Sequence, residues 1–239
     1  GNTSTFILTN KKAGTEGWVH VVEPVDPDQP EAEFETPSDT TGSVHGIRKA
    51  AVSPVVDGKI TAKEWYNALV IDISGTNTEI NWYMNGDAKR TFGEGSTVAM
   101  LWDANYIYYA FDLKYNADWT QEGALGNESF EFRVSETSSG GEGNFYTMIV
   151  TPSAGTCTVN GTEVEGIKVA KETSESYKVE IALPISAFAS FIKNGAVDNG
   201  YYYMQIRGQT PSFWVLANQC DQGPFGGAKN TYVLSPLAG

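Results

Sequence analysis

The chain has 239 residues, 41% of them hydrophobic and 19% charged, with 25 glycines, the composition of a globular protein large enough to bury a sizeable core. A formal charge of −13, with only 16 Lys and Arg, excludes nucleic acid and anionic membrane surfaces as natural partners, because both need a basic patch. No apolar run approaches the roughly 18 residues of a membrane span, so no membrane insertion is expected.

The first residues, GNTSTFILTN, lack the basic-then-apolar pattern of a signal peptide. Either there is no such segment or the chain begins after its cleavage, and the second reading is the expectation. Thr5 to Leu8 and Trp18 to Val22 read as two short strands, so residues 1–22 read as an N-terminal strand appendage, either the tail of a neighbouring domain or an extra ribbon on the main sandwich. From Glu23 the text changes: Glu23, Asp26, Asp28, Glu31 and Glu33 are interleaved with Pro24, Pro27, Pro30 and Pro37, with almost no apolar periodicity. Residues 23–49 are thus read as an acidic, proline-rich linker.

Residues 50–239 read as the main domain, short strand-like runs separated by Gly, Asn, Asp and Pro. Val98 to Trp102 and Tyr106 to Leu113 predict a hairpin turning on Asp103-Ala104-Asn105. Both faces of its strands are apolar, which predicts a central position covered on each side. Phe130 to Val134 and Phe145 to Val150 follow as strands. In Tyr177 to Leu183 the odd positions are apolar and Lys178, Glu180 and Ala182 alternate with them, so the second side is expected to meet water or a groove. Pro184 ends that run, and Ser186 is placed as the N-cap of one short helix carrying Phe188, Phe191 and Ile192. With Tyr201 to Arg207 and Thr231 to Leu234 the total reaches about eight to ten strands, which predicts an all-β, two-sheet antiparallel sandwich, jelly-roll-like, with at most one short helix.

Catalytic machinery is hard to assemble from this chain. His20 and His45 are its imidazoles, and both read as exposed or incidental. Glu128 and Glu131 are three apart, so on a strand they face opposite ways and cannot flank one glycosidic bond. Glu131 and Arg133 instead line the outer side of a strand whose Phe130, Phe132 and Val134 face the core. Cys157 and Cys220 have no CxxC or neighbouring His, so zinc is unsupported, and a disulfide and two free buried thiols both stay open. Asp57 to Trp65, Asp103 and Asp112 offer oxygen ligands for a structural calcium, without an EF-hand loop. No organic cofactor is expected. Aromatic residues make up 12% of the chain, and Trp119 and Trp214 lie in polar, loop-like contexts where a flat ring can serve as a sugar-stacking platform.

Several runs occur together in the order seen in one family: PVVDGKITAKEWYNAL, VAMLWDANYIYYAFDL, ESFEFRV after Trp119, and YKVEIALPISAF. From about Ala50 to Leu237 the chain resembles family 9 carbohydrate-binding modules, and more distantly a wider group of sugar- or haem-binding sandwich domains. The resemblance implies a jelly-roll-like sandwich that holds a polysaccharide or oligosaccharide between two tryptophans, often with structural calcium. Trp119 and Trp214 stand at the two clamp positions, and Glu131 and Gln205 match polar contact positions. Arg207 and Gln209 join them as candidate hydrogen-bonding residues. The chain departs from the family in having Arg207-Gly208 where an Asn-Asp pair is usual, and in lacking the family's arginine on the Phe145 to Val150 strand. A haem-binding relative would need axial ligands from Met84, Met100, Met148, Met204 or the histidines.

The expectation from residues and resemblance together is a non-catalytic carbohydrate-binding domain of a larger, secreted or cell-surface bacterial protein. The alternative is a structural or adhesive sandwich domain of a surface protein without a sugar site.

Overall fold

The structure is a computed structural model, and it describes residues 44–74, 82–84, 93–114, 129–135, 145–172, 176–192, 200–209, 212–216 and 231–238. The chain divides into two compact units, Gly1–Ala32 and Glu33–Gly239. The first lies wholly outside the described residues, together with the strands read at Thr5 to Leu8 and Trp18 to Val22.

Fourteen strands are described within the second unit: β1 (Val44–Lys49), β2 (Leu69–Asp72), β3 (Trp82–Met84), β4 (Thr97–Trp102), β5 (Tyr106–Leu113), β6 (Ser129–Ser135), β7 (Phe145–Thr151), β8 (Thr156–Val159), β9 (Thr162–Glu163), β10 (Lys168–Glu172), β11 (Tyr177–Pro184), β12 (Tyr201–Gln209), β13 (Ser212–Leu216) and β14 (Thr231–Ala238). They exceed the expected eight to ten, and among them β3 and β9, of three and two residues, are too short to show a period. The chain is all-β as read from its alternation. One hydrogen-bonded path runs β10-β11-β5-β4-β1-β14-β12-β6-β7-β8-β9, with β2 on β4, β13 on β12 and β3 on β13.

The path curls so that its halves face each other. Tyr109 on β5 meets Phe132 on β6 at 4.5 Å between ring centroids, and Phe111 meets Phe130 at 4.6 Å. Around these pairs lies the main core, with Met100, Val179, Ile181, Met148, Val150 and Ile206. Each large apolar side chain removed from water there stabilises the fold by roughly 1.5–3 kcal/mol. Cys157 is a buried free thiol in that core, and burial pushes its pKa up to about 11. Met100, Met148 and Met204 are packed in it too, at 0–1% exposure, where they serve as filling for the interior.

Three expectations are corrected here. The last six residues read as linker, Val44–Lys49, form a strand that pairs parallel with both β14 and β4, so the sheet is not purely antiparallel. The second side of β11 does not meet water: Glu180 and Ala182 are fully buried, because residues 50–68 fold over that half of the sheet. A second small core forms there from Trp65, Ala68, Val70, Ala99, Leu101, Tyr108, Ala110 and Ala182. It covers β4 on the side away from the main core, as its two apolar faces require. The predicted helix is two single 3-10 turns, Ile185–Ala187 and Ala189–Phe191, and Pro184 rather than Ser186 occupies the first cap, without a side-chain bond.

Candidate functional site

Strand β6 sets the geometry of the candidate site by simple alternation. Phe130, Phe132 and Val134 point into the core at 0–1% exposure, which puts Ser129, Glu131 and Arg133 on the outer side. Strand β12 continues that side, since Gln205 pairs with Glu131 and Arg207 with Ser129. Strand β13 extends it again: Trp214 pairs with Arg207 and Ser212 with Gln209. Finally Tyr83 on β3 pairs with Trp214. Register therefore makes Gln205 the cross-strand partner of Glu131, and Arg207 that of Trp214. Trp119 and Glu128 lie outside the described residues.

On β6 and β7 the side chains themselves are defined. Arg133 donates from Nε and from Nη2 to Oε1 of Glu131, both at 2.7 Å. Its guanidinium also lies over the Phe145 ring, 5.3 Å from the centroid, and that ring stands edge-on to Tyr203 at 5.9 Å. Glu131 is nearly sealed, its side chain 3% exposed, whereas that of Arg133 is 24% exposed. The carboxylate expected to meet a ligand thus holds an arginine that reaches solvent. Sequence reasoning placed Arg133 on this side but gave it no role. The two-residue spacing from Glu131 was the available signal, because it guarantees adjacent positions on one strand face.

The Asp-Gly and Glu-Trp positions of the resemblance serve the opposite half of the sheet. The Glu180 carboxylate accepts hydrogen bonds from the backbone N–H groups of Asp57, at 2.9 Å, and Gly58, at 2.7 Å, and from Trp65 Nε1 at 3.0 Å. Burial pushes its pKa up against the pull of these donors, with the nearby Asp57 charge adding to the rise. Glu64 receives the Thr61 hydroxyl at 2.9 Å, closing a local turn.

The carboxylates named for calcium are engaged by protein donors. Asp103 accepts from Ser53 Oγ (2.5 Å), Tyr108 Oη (2.6 Å) and the N–H groups of Asn105 (2.7 Å) and Tyr106 (2.8 Å). Asp112 receives Lys114 Nζ and Ser176 Oγ, each at 2.8 Å. Asp57 caps the N–H of Lys59 at 2.8 Å. Among the described residues no three metal-ligating side chains gather. His45 is not an exposed residue: it is 8% exposed, its ring 5.7 Å from that of Tyr232. His20 lies outside the described residues. No described helix is long and apolar enough to cross a membrane.

No protein-family model matches the chain, and no curated protein matches it. Two similar solved structures are of a carbohydrate-binding module family 9 from Caldicellulosiruptor kristjanssonii. The one in complex with glucose has 12% sequence identity and a TM-score of 0.49, over 81% of this chain and 96% of that one. The one in complex with cellotriose has 12% identity and a TM-score of 0.47, over 80% and 93%. At this low identity, the chain is similar to family 9 carbohydrate-binding modules.

Proposed function

We propose that the chain is a non-catalytic carbohydrate-binding domain of a secreted or cell-surface protein with further domains. A saccharide lies against the outer side of β13, β12 and β6. Trp214 and Trp119 stack on a pyranose ring, and Gln205, Arg207, Gln209 and the Glu131–Arg133 pair meet its hydroxyls. What supports the reading is the ladder register, which pairs Trp214 with Arg207 and Gln205 with Glu131 across β13, β12 and β6. An aromatic position flanked by planar, multidentate hydrogen-bonding residues suits a ring that is apolar on its face and polar at its rim.

The test is calorimetric titration with a panel of glucose, cellotriose, xylotriose, mannotriose and chitotriose. Binding in the roughly micromolar to millimolar range, lost in Trp214→Ala with an unchanged melting temperature, is the expected result. Silence across the panel leaves the structural or adhesive domain as the better account. Release of shortened sugars from the same mixtures would mark an enzyme instead.

A further inference from the structure

We propose that residues 50–68 are a strap that opens and closes over β4, β5 and β11 as a unit of its own, with the Glu180 carboxylate as a latch whose charge state sets how often it opens. The device does not depend on the saccharide reading above. Two cores share these three strands, and the strap belongs to one of them. Among the described residues the main core takes no side chain from 50–68, whereas the small core includes Trp65 and Ala68, with Ala50, Val56 and Ile60 packed against it. Lifting the strap therefore uncovers the small core and leaves the main one as it was.

Few points fasten the strap. Residues 50–68 contain no strand, so no ladder runs along them. At the ends, Ala50 donates to the Trp102 carbonyl at 2.7 Å and Arg48 to that of Asn67 at 3.4 Å. Between the ends Ser53 reaches Asp103, and the other polar ties to the sheet, among the described residues, converge on Glu180. That side chain, at 0% exposure, takes the N–H groups of Asp57 and Gly58 on Oε2 and the Trp65 indole on Oε1. Much of the floor is alanine (Ala99, Ala110 and Ala182), which gives contact without interlocking shape. Val52, Val55 and Tyr66 are 80%, 59% and 45% exposed and add little to the hold. A segment with one central acceptor and no ladder has the low local stability from which movable covers are drawn.

The groups around the latch fix what a proton does there. On the strap Asp57 stands beside it, Lys59, Lys63 and Tyr66 are exposed, and Glu64 is engaged by Thr61. By alternation β5 carries Tyr106, Tyr108 and Asp112 on this side, with Tyr108 bonded to Asp103 and Asp112 to Lys114 and Ser176. On the same side β10 carries Lys168, over the Tyr106 ring at 4.5 Å, and Glu172, and β11 itself adds Lys178. The Lys171 backbone lies against Gly58, and β4 offers Thr97, Ala99 and Leu101, which do not ionise. Of these charges, that of Asp57 bears on Glu180. Burial pushes the Glu180 pKa above its ordinary 4.5, the bonds from Gly58, Trp65 and Asp57 pull it down, and the Asp57 charge adds to the rise. A carboxyl that holds its proton more tightly under the closed strap than in water makes closure most favourable below about pH 4.5, and that contribution is lost as pH rises through the folded value.

Hydrogen exchange of the whole chain, followed by mass spectrometry between about pH 4.5 and 7.5 and corrected for intrinsic rates, tests the device. Opening of residues 50–68 is expected to become more frequent by up to about tenfold per pH unit and then to level off, while β6 and β12 stay protected throughout. Glu180→Gln carries no charge at any of these pH values, so the rise is expected to vanish in it. Exchange of the strap and β6 at one common rate, the absence of a rise in wild type, or a rise that persists in Glu180→Gln each overturns the proposal, as does opening that falls with increasing pH. If Glu180→Gln fails to fold, Asp57→Asn takes its place. It keeps the backbone donor and removes the neighbouring charge, so the pH at which opening levels off must move down, and an unmoved value counts against the latch.

Discussion

Single side chains in this protein carry opposite electrostatic and hydrogen-bonding debts. Tyr177 is fully buried, and among the described residues its hydroxyl finds no hydrogen-bond partner. An unsatisfied buried hydroxyl costs about 1–3 kcal/mol, so Tyr177→Phe is expected to raise stability by about 1 kcal/mol in urea unfolding. A loss of that size would mean the hydroxyl is bonded after all. Asp103 is the reverse case. Burial works to raise its pKa, but bonds from Ser53 and Tyr108 and from the N–H groups of Asn105 and Tyr106 outweigh it, and the group titrates below its ordinary value of 3.8. A carboxylate with a depressed folded pKa stabilises the fold above the unfolded value, and that contribution is lost as pH falls through the folded one. Wild type should therefore exceed Asp103→Asn in melting temperature at neutral pH, with the gap closing below about pH 4. A gap independent of pH would sink the assignment.

At the scale of elements, residues 50–68 depend on the Glu180 carboxylate and on Gly58. Gly58 adopts φ +89°, and a Cβ there would stand 3.1 Å from the carbonyl carbon of Lys171 on β10. Gly58→Ala combines a left-handed strain with a backbone clash and is expected to cost about 1–3 kcal/mol. Glu180→Ala leaves three N–H donors without their acceptor, one of them the indole of a tryptophan at 0% exposure. Its expected cost is about 3 kcal/mol, accompanied by a red shift of Trp fluorescence as the cover over β4, β5 and β11 loosens. Near-native stability in both variants would show that the cover is held by apolar contact alone. Legibility in the sequence divided at this same place. The alternation of Tyr177, Val179, Ile181 and Leu183 identified the strand and its core face. The other face was misjudged, because a Lys-Glu-Ala series looks solvent-facing until a tryptophan 115 residues earlier folds over it.

For the whole molecule, closure of the curled sheet depends on β1. Ile47 is fully buried, and the strand joins β14 on one side and the end of β4 on the other. Without it two strand edges lose their partner and the halves of the sandwich are no longer joined by hydrogen bonds. Replacing Val44–Lys49 by a Gly-Ser spacer of equal length is expected to abolish cooperative thermal unfolding and to promote association through the exposed edges. A sharp melt in the spacer variant would contradict this role.

The sequence by itself determined the all-β class, the β4–β5 hairpin and the core face of β6. These follow from period-two alternation and from local turn chemistry, which neighbouring residues encode directly. Only the tertiary structure decided that Val44–Lys49 completes the sheet, that Glu180 is sealed beneath residues 50–68, and that Glu131 clasps Arg133 while Phe145 backs it. Each of these is a meeting of segments, and the energy of such a meeting depends on burial and on partner geometry that no local window of residues contains. Chain order places Gln205 far from Glu131. Strand pairing alone makes them cross-strand partners, because ladder hydrogen bonds set a common register across strands that the chain visits at widely separated times.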